Sequence, residues 1–293
     1  MKSKLSLNDW INEADEQNIS LAKYLLKLNA KEDEITEEET TKKLLDLLNV
    51  MEKSIERGLT GVKSASGLTG GAAKLLARKR ENKKIRVLGD FGYDAVVFAL
   101  AVAESNAAMG KIVAAPTAGA SGVLPGVLFS LKKNFNFSYE ELASALNIAG
   151  SIGVVIANRA TLSGAKGGCQ AECGSSAAMA AGAATFLLGG SNQEIGNSVA
   201  MAIKNILGLV CDPVAGLVEV PCVKRNAGAV SQALLATQMA LAGIESFIPA
   251  DETIDALKDV GDRMPSSLKE TSCGGLAISP TALEWAKKYF SKE

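Results

Sequence analysis

The sequence predicts a mainly α-helical fold, a helical catalytic domain whose glycine-rich connecting loops carry the chemistry. Three observations point there. Aromatic residues make up only 5% of a chain with 28 glycines and abundant alanine, so helices can approach closely while strands have little β-favouring composition to draw on. Helix-start signatures recur along the chain. Alanine-rich segments of helical length alternate with short glycine-rich connectors.

Taken in order, the N-terminal stretch reads as helices. Thr36 followed by Glu39 is a capping box, and Leu44, Leu48, Met51 and Ile55 recur at helical spacing. A helix of about twenty residues is therefore expected from Thr36, with Gly58 as its stop. KIRVLGD (84–90) and KIVAAPT (111–117) hint at strands. Segments 93–109, 139–157, 174–188, 193–208 and 224–243 read as helices. Capping boxes at Ser138 with Glu141 and at Ser191 with Glu194 open two of them. Ser279-Pro280 places a cap before a proline at the first helical position. The connectors are SGLTGG (66–71), APTAGASGVLPG (115–126), SGAKGGC (163–169) and CDPVAGLVEVPC (211–222).

Charge divides the chain. About half of its charged residues lie in the first 90 positions, whereas 91–165 carries only eight. The expected organisation is a polar helical N-terminal arm, 1–90, and a helical catalytic domain, 91–293. The boundary near 84–90 is soft enough to allow one continuous domain. A net charge of −1 gives no global field toward nucleic acid or anionic lipid. No apolar run approaches the ~20 residues that span a bilayer, and MKSKLSLNDWINEADEQ turns acidic too early for a secretory leader. Five cysteines, an odd number, do not form a disulfide framework. These features imply a soluble cytoplasmic protein. The basic run RKRENKKIR (78–86) lacks interleaved aromatics and reads as a solvated helix face.

The chain has no histidine, which removes most neutral-pH acid–base chemistry and makes the cysteines prominent. Cys169 follows two glycines, Cys211 precedes Asp212-Pro213, and Cys222 follows Pro221. Loop thiols in such company are poor core fillers and good soft ligands for an iron–sulfur cluster, zinc or cuprous copper. Three ligands would leave one iron of a 4Fe–4S cluster open to a substrate. Structural zinc prefers four ligands and tight pair spacing. Cys173, four residues beyond Cys169, and Cys273 in TSCGGLA are secondary candidates for ligation or small buried residues.

The run 115–126 leads into a helix with exposed backbone N–H groups, suited to a small carboxylate or equally to a close-packed turn. SGLTGG invites the same reading. Proton transfer, with no histidine, falls to a perturbed lysine, carboxylate or thiol. Lys166, Glu172, Lys204, Asp212, Glu219 and Lys224 are candidates, with no catalytic residue singled out.

GLTGG, NAAMGKIVAAPTAGASGVLPG, SGAKGGCQAECGS, LGLVCDPVAGLVEVPCVKRNA and GGLAISPT together resemble the alpha subunit of iron–sulfur-dependent bacterial L-serine dehydratase, over essentially the whole chain. The resemblance implies a 4Fe–4S cluster held by Cys169, Cys211 and Cys222, no pyridoxal phosphate, and conversion of L-serine to pyruvate and ammonia. Thr117, Ala118, Gly119 and Ser121 would then bind the substrate carboxylate. Fused members of the family carry a C-terminal cysteine that caps the fourth iron and a Ser-His-Thr motif in their other domain. This chain ends in Phe290-Ser291-Lys292-Glu293 and has no histidine. It is therefore expected to lack that cap and to need a separate beta subunit. Cys173 stands where an apolar residue is expected. A cysteine desulfidase-type lyase with the same cluster and a zinc-bound, non-catalytic scaffold are the alternatives.

Overall fold

The computed structural model describes residues 5–291. The first four residues of the leader reading, and Lys292 and Glu293 of the chain-end reading, lie outside them. Thirteen α-helices run through the described residues: α1 Leu7–Glu16, α2 Leu21–Glu32, α3 Glu37–Leu59, α4 Ala72–Arg78, α5 Gly89–Ala107, α6 Val123–Phe135, α7 Tyr139–Arg159, α8 Gly164–Gly167, α9 Ser175–Leu187, α10 Asn192–Lys204, α11 Cys222–Leu241, α12 Ala250–Arg263 and α13 Pro280–Phe290. The mainly α fold is thus observed, with no strand among the described residues beyond two isolated bridges.

Each capping box forms as its spacing predicts. In α3, α7 and α10 the Thr36, Ser138 and Ser191 hydroxyls accept from the third helical N–H, and Glu39, Glu141 and Glu194 accept in return. The arrangement satisfies donors that a helix start otherwise leaves free. Gly58 plays a different part from the one its sequence context suggests. Helix α3 continues to Leu59, and Gly58 lies against α5, where an added Cβ would stand 2.0 Å from the Ala101 carbonyl oxygen. Backbone proximity, not termination, requires glycine there.

Neither strand hint survives. Residues 83–85 form a 3-10 turn and α5 begins at Gly89, while 111–117 forms no strand and contains a cis Ala115–Pro116 bond. A strand needs a ladder, and helices occupy the neighbouring space. The basic run is not one helix face either. Within it only Arg78 is α-helical; Arg80 pairs with buried Asp94 through Nε and Nη2 at 3.0 and 2.9 Å.

Helix α9, in which nine of thirteen residues are Ala, Ser or Gly, is buried along nearly its whole length and contacts α6, α7, α10 and α11. A helix apolar all round belongs in the centre of a bundle. The hydrophobic core is continuous from Leu7, Leu21 and Leu48 through Leu124 and Ile152 to Leu257. Helix α7 is long and apolar enough to cross a membrane, a property missed in reading the sequence for uninterrupted apolar runs. Its apolar surface is spent on α2, α3 and α9, and 67% of its most apolar window is buried.

Candidate functional site

Three connectors converge at the ends of α9 and α11. The first is 160–175. Gly168, at φ +77°, turns the chain into Cys169, which precedes a π-helical turn, Gln170–Gly174, that runs directly into α9. Such turns interrupt α-helices where side chains must be re-aimed. Gln170 is fully buried. Its Nε2 donates to the Leu257 carbonyl at 2.9 Å, and its Oε1 accepts from Gly208 N at 2.9 Å. That side chain fixes the Cys169 turn to α12 and to the segment after α10.

The second connector is 211–222. Cys211 N donates to Leu268 O at 2.9 Å, and its carbonyl accepts from Glu270 N at 2.7 Å. Asp212 is buried and paired with Arg225 of α11 at 2.8 Å, and its other oxygen accepts from Leu276 N at 2.7 Å. Glu219 is held by Ser64 Oγ at 2.6 Å and Ser66 Oγ at 2.7 Å, which ties SGLTGG to the cysteine connector. Cys222 is the first residue of α11.

The third connector is 115–122. Asn226, one turn into α11 and fully buried, donates to Gly119 O at 2.8 Å and to Cys222 O at 2.9 Å, and accepts from Gly122 N at 2.9 Å. Ser176 of α9 donates to the carbonyls of Ala115 at 2.6 Å and Ala120 at 3.1 Å. Two helices that begin beside cysteine connectors therefore hold the 115–122 loop. Asn226, Ser176 and Gln170 were not found by sequence reasoning. Polar residues within alanine-rich helical segments, four from Cys222 and one from Cys169, were the available signal.

Glu172 joins these parts. Its Oε1 accepts from Thr117 Oγ1 at 2.8 Å. An added Cβ on Gly164 would lie 2.8 Å from its Oε2 and 3.1 Å from Cys211 Sγ, so the glycine leaves room where the carboxylate and the thiol meet. Gly119 borders the same carboxylate, and Ser121 Oγ is buried with no hydrogen-bond partner. Ala118 is exposed and takes part through its carbonyl, which accepts from Asn106 Nδ2 at 3.1 Å.

Cys169, Cys211 and Cys222 are all buried, at 3%, 3% and 8% exposure. Burial pushes the Cys211 thiol up and the Cys222 thiol up to about 12, with Cys169 and Glu172 adding to each. Cys169 is held down, first by its hydrogen bond with Cys173, whose Sγ is 3.4 Å away, and then against the cost of burial by Arg225. Burial would lower Arg225, but Cys169 and Asp212 raise it on balance. Burial raises Glu172 despite the hydrogen bond from Thr117. Cys273 is exposed, its Sγ turned onto Thr271 O at 3.2 Å.

Lys166 and Lys224 are exposed, and Lys204 donates to Ser246 Oγ at 2.9 Å. Among the described residues no three His, Cys, Asp or Glu side chains converge as a single ion would require. The buried thiols, with an unpaired buried hydroxyl and a nearby guanidinium, form a soft donor set of the kind that would hold an iron–sulfur cluster.

Fold and site together define a helical protein with four buried thiols on two connectors and the 115–122 loop clamped beside them. Residues 16–277 match the family model described as serine dehydratase alpha chain. The chain belongs to that family. It is 47% identical over 286 residues to the probable L-serine dehydratase alpha chain of Bacillus subtilis, covering 97% of this chain and 95% of that one. It is 41% identical over 285 residues to the L-serine dehydratase alpha chain of Peptoniphilus asaccharolyticus, covering 97% of both. With L-serine dehydratase 2 of Escherichia coli the identity is 38% over 259 residues, 85% of this chain but only 56% of that protein.

Proposed function

We propose that this chain is the alpha subunit of an iron–sulfur L-serine dehydratase, acting with a separate beta subunit to convert L-serine to pyruvate and ammonia. The observation that carries the reading is Glu172, which accepts from Thr117 and meets Cys211 at Gly164; it supports a substrate loop, a proton carrier and a cluster ligand acting side by side. A 4Fe–4S cluster bound by Cys169, Cys211 and Cys222 would supply Lewis acidity toward the departing β-hydroxyl.

This chain's residues supply the rest. The Thr117 and Ser121 hydroxyls and the Gly119 backbone receive the substrate carboxylate. Withdrawal of charge into those donors makes the Cα proton easier to remove. Ser121 has its hydroxyl free for this, and Thr117 would exchange its bond to Glu172 for one to substrate. Glu172, released by that exchange, is placed to carry the proton. Arg225 steadies negative charge on the thiolates. The enamine product tautomerises and hydrolyses without further help. The beta subunit completes the site, since this chain contributes no imidazole.

The test is anaerobic co-expression with the beta chain, followed by pyruvate release from L-serine and sulfide release from L-cysteine. Serine should be the better substrate by kcat/KM. Faster sulfide release would instead identify a desulfidase-type lyase. Glu172→Gln should lower kcat more than it raises KM, by about 10²-fold or more for a lost general acid–base group.

A further inference from the structure

We propose that Cys169 and Cys173 form a redox-active dithiol that closes to a disulfide when the cluster is absent, and so controls whether the chain can take up a cluster. Their sulfurs are 3.4 Å apart, within one turn, and both side chains are buried. Closure to the about 2.05 Å of a disulfide is a small movement. It falls on the π-helical turn Gln170–Gly174, where the regular helix ladder is already broken. Cys211 is placed otherwise, with its sulfur toward Gly164 and Glu172.

Cys173 lines a cavity of about 480 Å³ together with Leu207, Leu209, Arg225, Gly228 and Gln232, which gives a small oxidant a route to the pair. With hydrogen peroxide as oxidant, one thiolate attacks a peroxide oxygen, the O–O bond breaks, and a sulfenic acid and hydroxide form. The second thiol then attacks the sulfenic sulfur, the S–O bond breaks, and the S–S bond forms with release of water. Two electrons pass from the two sulfurs to peroxide, and the protons leave in two waters. Dithiol reductants reverse the closure by exchange.

A disulfide at Cys169 removes one cluster thiolate and turns its sulfur toward Cys173. That consequence rests on Cys169 being a cluster ligand, as proposed above; the disulfide itself does not.

The experiment uses the full chain freed of metal by a chelator and treated with one equivalent of hydrogen peroxide, then alkylated and digested with trypsin. Peptide 167–204 contains both cysteines and no other. It should be lighter by two hydrogens and resist alkylation until dithiothreitol is added. Iron and sulfide uptake on reconstitution should be largely lost after peroxide and restored by dithiothreitol. In Cys173→Ala, uptake should begin near the wild-type level, and the peptide should show no loss of two hydrogens.

Free, fully alkylatable thiols after peroxide would overturn the proposal, as would crosslinks from Cys169 to Cys211 or Cys222 instead. Loss of iron uptake in Cys173→Ala before any peroxide would also overturn it, by making Cys173 a ligand. If the reduced chain takes up no iron while the disulfide still forms, the cluster reading fails and the dithiol stands.

Discussion

The N-terminal helices and the thiol centre are built on opposite plans. In α1 to α3, short polar caps mark the starts, charged residues cover the outer face, and one apolar stripe with Leu25, Leu48 and Met51 is buried. Around the cysteines, α9 is buried on nearly every side, its small residues in close contact with its neighbours, and the first turns of α11 bury Cys222, Val223, Asn226 and Ala229. Polar groups there do not cap helices. Asn226, Ser176, Gln170 and Glu219 instead clamp connectors to one another. The first plan caps its helices locally, with Asp251 and Asn192 adding distant bonds to the first amides of α1 and α2. The second is long-range, so one side chain can displace two connectors.

The difference can be sharpened by substitution, starting where the largest effect is expected. Cys211→Ala should abolish iron retention and activity while leaving the far-UV circular dichroism of a helical protein; retained iron would remove Cys211 from the ligand set. Gly58→Ala drives a methyl into the Ala101 carbonyl at the contact between the two regions. It should cost at least the about 1–3 kcal/mol typical of overpacking, read by chemical denaturation.

Asn226→Leu strips partners from the buried Gly122 N–H and the Gly119 carbonyl. A loss of about 1–3 kcal/mol per stranded group is expected, together with a raised KM for serine because the anion loop is released. Thr36→Ala should cost only about 1 kcal/mol and leave iron content unchanged.

The pH response separates the regions in another way. Burial alone would raise Asp94, but hydrogen bonds from Arg80, Lys133 and Asn134 hold its carboxyl below the usual range. Its folded pKa is therefore depressed. The stability it contributes is present above the unfolded carboxylate value of about 3.9 and is lost as pH falls through the lower folded value. Asp94→Asn should flatten the acid limb of a stability–pH curve below about pH 4. An unchanged limb would show that Asp94 is not held in this network.

What the sequence revealed follows the same division. The capped helices were legible because the signal is local: Thr36 with Glu39, Ser138 with Glu141 and Ser191 with Glu194 each lie within one turn. The first four residues of α6, 123–126, were read as the end of a glycine-rich connector leading into a helix, because Pro125 and Gly126 fall there. Proline in a first turn removes no intrahelical hydrogen bond, and Gly126 is where α6 approaches Ala95 and Ala99 of α5. Helix α12 follows Pro249 without a side-chain cap and went unread.

At the site, the cysteines and the 115–126 run stood out by composition, and Glu172 was one of six proton candidates. Its selection needed the fold, since Thr117 and Glu172 are 55 residues apart. Asn226 was invisible for the same reason: its partners at 119 and 122 are about a hundred residues away in the chain.

The most direct test of the account is the iron and acid-labile sulfide content of anaerobically purified chain, with its absorption spectrum recorded before and after L-serine. A 4Fe–4S cluster with an open iron predicts equal iron and sulfide, about four of each per chain, and a spectral change when serine is added. Zinc without sulfide in protein kept strictly anaerobic would contradict it, leaving the clamped connectors and buried thiols as a scaffold for different chemistry.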